Sequence, residues 1–426
     1  MLTLPIDHVL ESNPNEIFNF VKMKFIADKL SERPHHNIVH IESFQQLTQL
    51  KLDFQNDKIS SRIELKNGNF KSFKSLSSLS ISSVVVEKGC FDELKQLNYL
   101  TLNCFQISNL KKCFTWCSSS LSDSFKELTN LKELNLDNCE LCELSPNAFI
   151  GLNCLEKLEL THNKCIRFET GCFNGLSNLK YLKLLDCEIE TLAKDVFVSL
   201  TKLEVLSVIL NHNLKLLEDG CFNGLLNLKY LDLSWCNIQK FTRNLFCQLV
   251  NLKFLNSMKN SYLNLEEGCF NGLHKLESLI LFDCNIQMLN LNVFFVFENL
   301  NLLCLSKNER IHLDENCFKW FPKLQQLYLS KCDIKCLKEN IFIGLDCLEE
   351  LDLSCNKEIV LEVGCFSGLS NLKQLDVSLC GLVNLSKEIF VDLVNLEALK
   401  CKDVLYVNAL KFDRLNLLKN LKNIYI

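Results

Sequence analysis

The sequence predicts an α/β solenoid, a stack of short repeats whose strands form one parallel sheet, with irregular or short helical segments on the opposite side. Two observations predict it. A leucine pattern returns at a fixed period, so that Leu131 and Leu155, which occupy equivalent places, are 24 residues apart. A phenylalanine also stands at an equivalent place in eleven consecutive repeats. A fixed period of this length is typical of proteins in which each repeat buries its apolar side only against its neighbours.

Each regular repeat begins with a short predicted strand. With its first leucine numbered zero, leucine recurs at offsets 3 and 5, as in Leu131, Leu134 and Leu136. Apolar residues at alternate positions are typical of a strand with one buried face. We name each repeat by its first leucine. The regular repeats begin at Leu131, Leu155, Leu179, Leu203, Leu228, Leu252, Leu276, Leu300, Leu324, Leu348, Leu372 and Leu396.

The residue at offset 8 alternates between Cys and Asn, which defines Cys-type and Asn-type repeats. A side-chain amide at a buried turn can bond backbone groups that the turn leaves unpaired. Cys fills a similar small volume but is a weak donor and acceptor. We therefore expect each Asn to serve the Cys-type repeats on both sides. The alternating residues are Cys139, Asn163, Cys187, Asn211, Cys236, Asn260, Cys284, Asn308, Cys332, Asn356 and Cys380.

Phenylalanine occupies offset 18, or offset 19 in the 25-residue Leu203 repeat, in the eleven regular repeats that begin at Leu131 to Leu372. Such rings bury ~150–250 Å² each and favour offset stacking, so one ring per repeat predicts a continuous buried stack, which we call the Phe spine. Its members are Phe149, Phe173, Phe197, Phe222, Phe246, Phe270, Phe294, Phe318, Phe342, Phe366 and Phe390.

The domain organisation follows from where the pattern holds. Residues 1–46 do not match the repeat, and Asn15–Leu30 has the apolar spacing of an amphipathic helix, so this segment is predicted to be a partly helical N-terminal cap. The solenoid is predicted over residues 47–426 with about 16 repeats, irregular over 47–130 and regular over 131–426.

The 24 cysteines are expected to be mostly buried thiols rather than disulfides. Cysteines at one offset recur in alternate repeats, on the order of 10 Å apart, whereas a disulfide needs Cα atoms within ~7 Å. A second set precedes the spine, at Cys172, Cys221, Cys269, Cys317 and Cys365. The pairs Cys113/Cys117 and Cys332/Cys336 lack the spacing typical of a zinc site, so we expect no metal and no cofactor.

Composition and motifs exclude several function classes. A net charge of −5 argues against a nucleic-acid partner, which favours a basic surface. The sequence has no apolar run of the ~20 residues that a membrane span needs, and its first residues lack the basic start of a signal peptide. Because it has no nucleophile, phosphate-binding or metalloprotease motif, we expect no catalytic residues and no enzymatic activity.

The residues at offsets 2, 4, 6 and 7 are predicted to point outward from the concave side of the sheet. They form an apolar and aromatic patch flanked by charge, which is typical of a protein-binding site. The alternative is that these side chains pack on each other across strands and only stabilise the sheet. Acidic residues of this face, Asp232, Asp352 and Asp376, are expected to face solvent. The candidate ligand-binding residues are Tyr181, Leu185, Ile209, Tyr230, Trp235, Phe254, Met258, Ile280, Phe282 and Tyr328, with Tyr230, Trp235, Phe254 and Phe282 at the centre.

The pattern L-x-x-L-x-L-x-x-[NC]-x-[IL], with Phe ten residues after the Asn or Cys, resembles the 24-residue type of the leucine-rich repeat family. Segments such as Gly171–Leu176 resemble repeats of Toll-like receptor and Slit-type ectodomains. The resemblance implies a curved horseshoe with the parallel sheet on its concave face, the Phe spine on its convex side, and a non-catalytic scaffold that binds through the concave face.

The same resemblance implies an extracellular or cell-surface recognition domain, similar to Toll-like innate-immune or adhesion receptors. Its partner would be a protein, although a lipid-like ligand also fits; the oligomeric state stays open. The alternative is a cytosolic adaptor, such as a substrate-recruiting subunit of a ubiquitin ligase. The missing export signal, the unpaired cysteines and the single glycosylation sequon, Asn384–Ser386, favour that alternative. A structural role in matrix or adhesion is a third possibility.

Overall fold

The protein is described by a computed structural model that covers residues 21–23, 48–53, 63–65, 67–71, 73–82, 84–86, 89–103, 124–164, 166–287, 291–309, 311–314, 316–382, 387–402 and 418–425. The chain forms two compact units. The first comprises Met1–Ile189 and Asp195–Leu206, and the second comprises Glu190–Lys194 and Ser207–Ile426.

The main strands are short and lie at the start of each repeat, where the leucine pattern predicts them. In the first unit, each strand pairs in parallel with the next: Val21–Met23, Gln49–Asp53, Ser78–Ser82, Tyr99–Asn103, Glu133–Asn135, Lys157–Glu159 and Tyr181–Lys183. Val205–Ser207 is a further main strand. In the second unit, the successive parallel strands are Tyr230–Asp232, Phe254–Asn256, Ser278–Ile280, Leu302–Cys304, Gln326–Tyr328, Glu350–Asp352, Gln374–Asp376, Ala398–Lys400 and Asn423–Tyr425.

Equivalent residues of successive repeats lie side by side, so the repeat period sets the register. Leu231 pairs with Leu255, which in turn pairs with Leu279, and all three are fully buried. The predicted parallel solenoid is confirmed. Because every repeat buries the same offsets, the core of each unit is a set of parallel leucine rows rather than one central cluster.

The Phe spine is confirmed, since all its predicted members are buried. In the first unit, the ring centroids of Phe149 and Phe173 are 6.3 Å apart and the planes differ by 7°. In the second unit, Phe342 and Phe366 have the same separation with planes 6° apart. These are offset stacks, which the negative faces of aromatic rings favour over direct overlap.

The outer side of the repeats consists mostly of turns. Among the described residues, helix occurs only at residues 124–125, in the short segment Leu291–Phe294 and in the 3-10 turn Lys387–Phe390. Sequence reasoning missed a set of short outer strands, each of which joins a repeat to the next. The pairs are Ile63–Leu65 with Val84–Val86, Glu143–Leu144 with Arg167–Phe168, Thr191–Leu192 with Leu216–Leu217, Lys240–Phe241 with Asn264–Leu265, and Cys336–Leu337 with Val360–Leu361.

The offset-8 residues form a buried hydrogen-bond system that runs in one direction. The Asn356 Oδ1 accepts from the backbone N–H groups of Cys332 (3.0 Å) and Ile334 (3.1 Å), both in the preceding repeat. Its Nδ2 donates to the carbonyls of Leu329 (2.9 Å) and Leu353 (2.7 Å). The expectation that Asn serves both neighbours is therefore corrected, because its amide serves its own repeat and the one before it.

The thiol of the following Cys-type repeat completes the system. The Cys380 Sγ donates to the Leu353 carbonyl over 3.1 Å, and the Cys332 Sγ donates in the same way to the Leu305 carbonyl over 3.2 Å. Burial raises the pKa of the Cys380 thiol to about 12, so the thiol keeps the proton that it donates. All the cysteines that the structure describes are free thiols, as the spacing predicts.

The N-terminal cap differs from its prediction where it is described. Val21–Met23 is extended and pairs with the Gln49–Asp53 strand, whereas the apolar spacing predicts a helix at these residues. The rest of residues 1–46, and the cysteine-containing segment Cys113–Cys117, lie outside the described residues.

Candidate ligand-binding face

The second unit presents a row of apolar and aromatic side chains on the outward side of five successive main strands and the turns that follow them. We call this surface the aromatic face. Most of its side chains are half-buried, and Trp235 is 42% exposed. It consists of Tyr230, Trp235, Phe254, Met258, Ile280, Phe282, Leu302 and Tyr328.

A stacked pair of rings forms one end of the aromatic face. The rings of Tyr230 and Phe254 are 4.5 Å apart and parallel within 2°, because the parallel register sets them side by side. The Tyr230 hydroxyl donates to Asp232 Oδ2 over 3.2 Å. Burial, and then the neighbouring carboxylate, raise the pKa of Tyr230 to about 12. The phenol therefore stays protonated and keeps its hydrogen bond at neutral pH.

Asp232 lies beneath this surface, and its predicted solvent exposure is wrong. Its side chain is only 4% exposed, and Oδ1 accepts from the Ser234 backbone N–H at 2.9 Å. Its Oδ2 also accepts from Asn256 Nδ2 at 3.0 Å. A buried carboxylate requires such donors. Asp232 thus fixes the positions of Tyr230 and of the neighbouring strand's Asn256.

A chain of charges and rings lines the edge of the aromatic face where the strands end. Lys259 Nζ lies 5.2 Å from the Trp235 ring centre and contacts Asp283. Asp283 also contacts Lys307 over 2.8 Å, and Lys307 Nζ lies 5.9 Å from the Phe282 ring centre. Burial would raise the pKa of Asp283, but the hydrogen bonds from the two lysines outweigh it and the pKa is lowered.

The opposite end of the face is acidic. Glu350, Asp352 and Asp376 line a shallow depression together with Tyr328 and Lys400. Burial, followed by the charge and hydrogen bond of Glu350, raises the pKa of Tyr328 to about 12. The surface therefore changes along the unit from stacked rings, through aliphatic and aromatic side chains, to carboxylates.

The remaining predicted site residues lie outside the aromatic face. Tyr181 and Leu185 belong to the first unit, where Tyr181 is 44% exposed beside charged strands. There Glu159 contacts Lys157 at 3.0 Å and Lys183 at 3.2 Å. Ile209 belongs to the second unit and is half-buried in the turn after the Val205–Ser207 strand. A binding role for any of these residues stays a prediction.

Sequence reasoning missed the lysines at the edge of the face. Lys259, Lys307 and Lys331 all stand at offset 7, immediately before the Asn or Cys of their repeats. The recurrence is visible in the sequence, but the contact that Lys259 and Lys307 share with Asp283 is not.

Two properties of the described residues bear on other functions. No group of three or more His, Cys, Asp and Glu side chains there is placed to hold a metal ion. Within the same residues, no helix has the length and apolar character required to cross a membrane.

Comparison with solved structures gives matches over most of the chain. A leucine-rich repeat protein of Leptospira interrogans is 25% identical, with a TM-score of 0.69 over 95% of this chain and 99% of that one. TLR13 in its complex with ssRNA13 is 20% identical, with a TM-score of 0.51 over 90% of this chain and 67% of that one. The Drosophila Toll–Spatzle complex is 19% identical, with a TM-score of 0.53 over 82% of this chain and 53% of that one.

Comparison with curated protein sequences gives no match. Family models match the repeats directly. The model described as "Leucine rich repeat" matches residues 118–165, 274–334 and 335–401, and the model described as "BspA type Leucine rich repeat region" matches residues 185–301. Together with the parallel solenoid and the recurrent leucine rows, these matches show that the chain belongs to the leucine-rich repeat family.

Proposed function

We propose that this chain is a non-catalytic scaffold that binds a protein ligand on the aromatic face. The observation that carries the proposal is a continuous set of half-exposed aromatic and aliphatic side chains over five adjacent strands. Tyr and Trp are frequent anchors at protein interfaces because they bury a large area and lose little side-chain entropy.

The fold itself does not require rings on this side of the sheet. The opposite side already buries the leucine rows, and other strands carry polar residues at the positions equivalent to Tyr230 and Phe254, such as Ser278 and Gln326. Cross-strand packing of the two rings contributes only ~0.2–1 kcal/mol relative to small residues. Their concentration over adjacent strands is therefore better explained by a partner than by sheet stability.

The rings are also held in place before any ligand arrives. Tyr230 is fixed by its stack with Phe254 and by its hydrogen bond to Asp232. Trp235 lies against Lys259. A surface that is already ordered loses less conformational entropy on association, which favours binding.

The experiment is cross-linking capture from the native source with the purified chain as bait, followed by affinity measurement on any captured protein. Phe254→Ala and Trp235→Ala are expected to weaken binding at least tenfold, since central aromatic anchors typically contribute more than ~1.4 kcal/mol. Val360→Ala and Val363→Ala remove exposed apolar side chains from the outer strand and the turn after it, so they serve as matched controls. Equal affinities for all four variants would refute the proposed face.

We further propose that the chain is a recognition domain outside the cell, similar to Toll-like or adhesion receptors. The similarity to the structure of the Toll–Spatzle complex supports this by analogy. The second candidate is a cytosolic adaptor, and one specific observation supports it. An oxidising compartment tends to pair or modify exposed free thiols. The chain has four among its described residues, at Cys154, Cys247, Cys336 and Cys347.

Counting free thiols in the protein from its native source, by alkylation before and after reduction, distinguishes the two locations. Exposed cysteines that alkylate only after reduction support the extracellular domain. Exposed cysteines that alkylate without reduction support the cytosolic adaptor.

A further inference from the structure

Resting on the proposed function, we infer that the ligand is an acidic peptide segment, with a carboxylate beside an apolar side chain. The carboxylate binds at Lys307 and Lys331, and the apolar side chain packs over Ile280, Phe282 and Leu302. The juxtaposition of a positive edge and an apolar surface carries the inference.

Three lysines mark the edge, and we call Lys259, Lys307 and Lys331 the lysine row. Each has a left-handed backbone, with φ of 64°, 64° and 55°. Each also donates its backbone N–H to a carbonyl of the next repeat, over 2.8, 2.7 and 2.9 Å respectively. Because the backbone is fixed in the same way in each repeat, the three lysines start from equivalent places along this edge.

The lysine row carries more positive charge than the nearby carboxylates neutralise. Asp283 contacts both Lys259 and Lys307, and the charge of Glu309 also acts on Lys307, so the three ammonium groups of the row face two carboxylates. Lys331 is exposed, and Lys307 lies over the Phe282 ring. An incoming carboxylate would therefore meet positive charge at a place where an adjacent apolar side chain can reach the aromatic face.

The other edge of the sheet, where the strands begin, differs in its charge. There lysines and glutamates of successive repeats pair with each other, as in Lys253–Glu277 and Lys373–Glu349, both at 2.8 Å. These pairs neutralise each other within the chain. The positive charge available to a partner thus lies on the side of the lysine row, which gives the ligand a defined orientation.

A peptide fits this surface better than a nucleic acid does. A phosphate backbone needs a continuous basic track, because each phosphate repeats the negative charge. Here the lysine row is interrupted by Asp283, and the neighbouring repeats bring Glu350, Asp352 and Asp376 to the face. A peptide needs a carboxylate only where the lysines stand and can carry neutral or basic residues over the acidic end.

The test selects a display library of random peptides against the intact chain. Enriched peptides are expected to carry Asp or Glu next to an aromatic or aliphatic residue more often than the input library does. Their affinity is then measured for the wild type, for Lys331→Glu, for Lys307→Glu/Lys331→Glu, and for the matched control Lys338→Glu on the outer side. Circular dichroism melting verifies that each variant folds.

Charge reversal in the lysine row is expected to slow association ~10-fold or more at low salt, since steering by charge contributes that much to on-rates. The difference should vanish near 1 M salt, where the screening length falls to ~3 Å. Peptides with Lys in place of Asp or Glu should regain binding to the doubly reversed variant. Lys338→Glu should bind like the wild type.

The outcomes separate the two proposals. Enrichment of neutral or basic peptides whose binding still depends on Phe282 overturns the acidic ligand and leaves the proposed function standing. Enriched peptides that bind Phe282→Ala and Ile280→Ala as well as the wild type overturn both. No enrichment at all overturns the acidic peptide and leaves the proposed function to the affinities measured on a captured protein. A single-stranded RNA oligomer that outcompetes the acidic peptides, and loses this ability in the doubly reversed variant, overturns the choice of a peptide.

Discussion

Replacing Asn356 by Ala should strongly destabilise the second unit, because the lost amide is buried and fully bonded. It makes four hydrogen bonds, with the Cys332 and Ile334 N–H groups and with the Leu329 and Leu353 carbonyls. Each bond contributes about 1 kcal/mol, and each buried partner left unsatisfied costs at least that much. We expect a loss of about 4 kcal/mol or more in the free energy of unfolding.

Two matched variants calibrate that figure. The exposed Asn371 makes one side-chain bond, to the Asp346 carbonyl at 2.8 Å, so Asn371→Ala should cost less than about 1 kcal/mol. Cys332→Ala removes a small buried side chain and its weak bonds to the Leu305 and Ser330 carbonyls, which should cost about 1–2 kcal/mol.

Urea unfolding followed by circular dichroism measures the three losses, and amide hydrogen exchange locates them. The Cys332 and Ile334 amides should lose protection in Asn356→Ala, because their acceptor is gone. Exchange is needed because repeats can unfold locally rather than in one transition. If Asn356→Ala were no more destabilising than Cys332→Ala, the one-directional hydrogen-bond system would not be the main role of the Asn.

Three further predictions concern the core and the edge of the face. Phe270→Ala should cost ~3–5 kcal/mol in urea unfolding, whereas Phe295→Ala, at 45% exposure, should cost less than about 1 kcal/mol; similar losses would contradict a buried spine. Burial raises the pKa of Cys284 from 9.0 to about 12, so the unfolded chain releases this proton at a lower pH than the folded chain does. The folding stability should therefore fall as the pH rises from about 9 towards 12. The melting temperature of a Cys284→Ala variant should fall less steeply over that range. The pKa of Asp283 is lowered from 3.8, so its contribution to folding stability is present above pH 3.8 and is lost as the pH falls through the lowered value. The gap in melting temperature between the wild type and Asp283→Asn should therefore close in acid. A constant gap would argue against the lysine contacts.

The fold was predictable because the repeat imposes one environment on each offset. A leucine at offset 3 has the same neighbours in every regular repeat, and so does a spine phenylalanine, so composition at one offset determines burial there. The N-terminal segment was not predictable in this way. Val21–Met23 has the apolar spacing of a helix but lies beside the Gln49–Asp53 strand, and pairing with that strand's backbone takes precedence over local spacing.

The candidate site was predictable only in part. The sequence indicates which residues point outward, and it places Tyr230, Phe254 and Phe282 together on one face. It does not indicate that Asp232 is buried, because that depends on the Tyr230 hydroxyl and on Asn256 from the next strand. The contact of Lys259 and Lys307 with Asp283 likewise depends on side chains that span three repeats.

The repeats are paired in the core by offset 8, whereas the lysine row lies at offset 7 and occurs in both types of repeat. An Asn-type repeat supplies the amide that bonds the preceding Cys-type repeat, and the outer strands in the regular repeats join the same two. Lys259 and Lys307 belong to Asn-type repeats, and Asp283 belongs to the Cys-type repeat between them. The carboxylate reaches a lysine on each side because the offset-7 residues of successive repeats are neighbours along this edge. Lys331 belongs to the next Cys-type repeat, so a ligand that contacts Lys307 and Lys331 spans one repeat of each type.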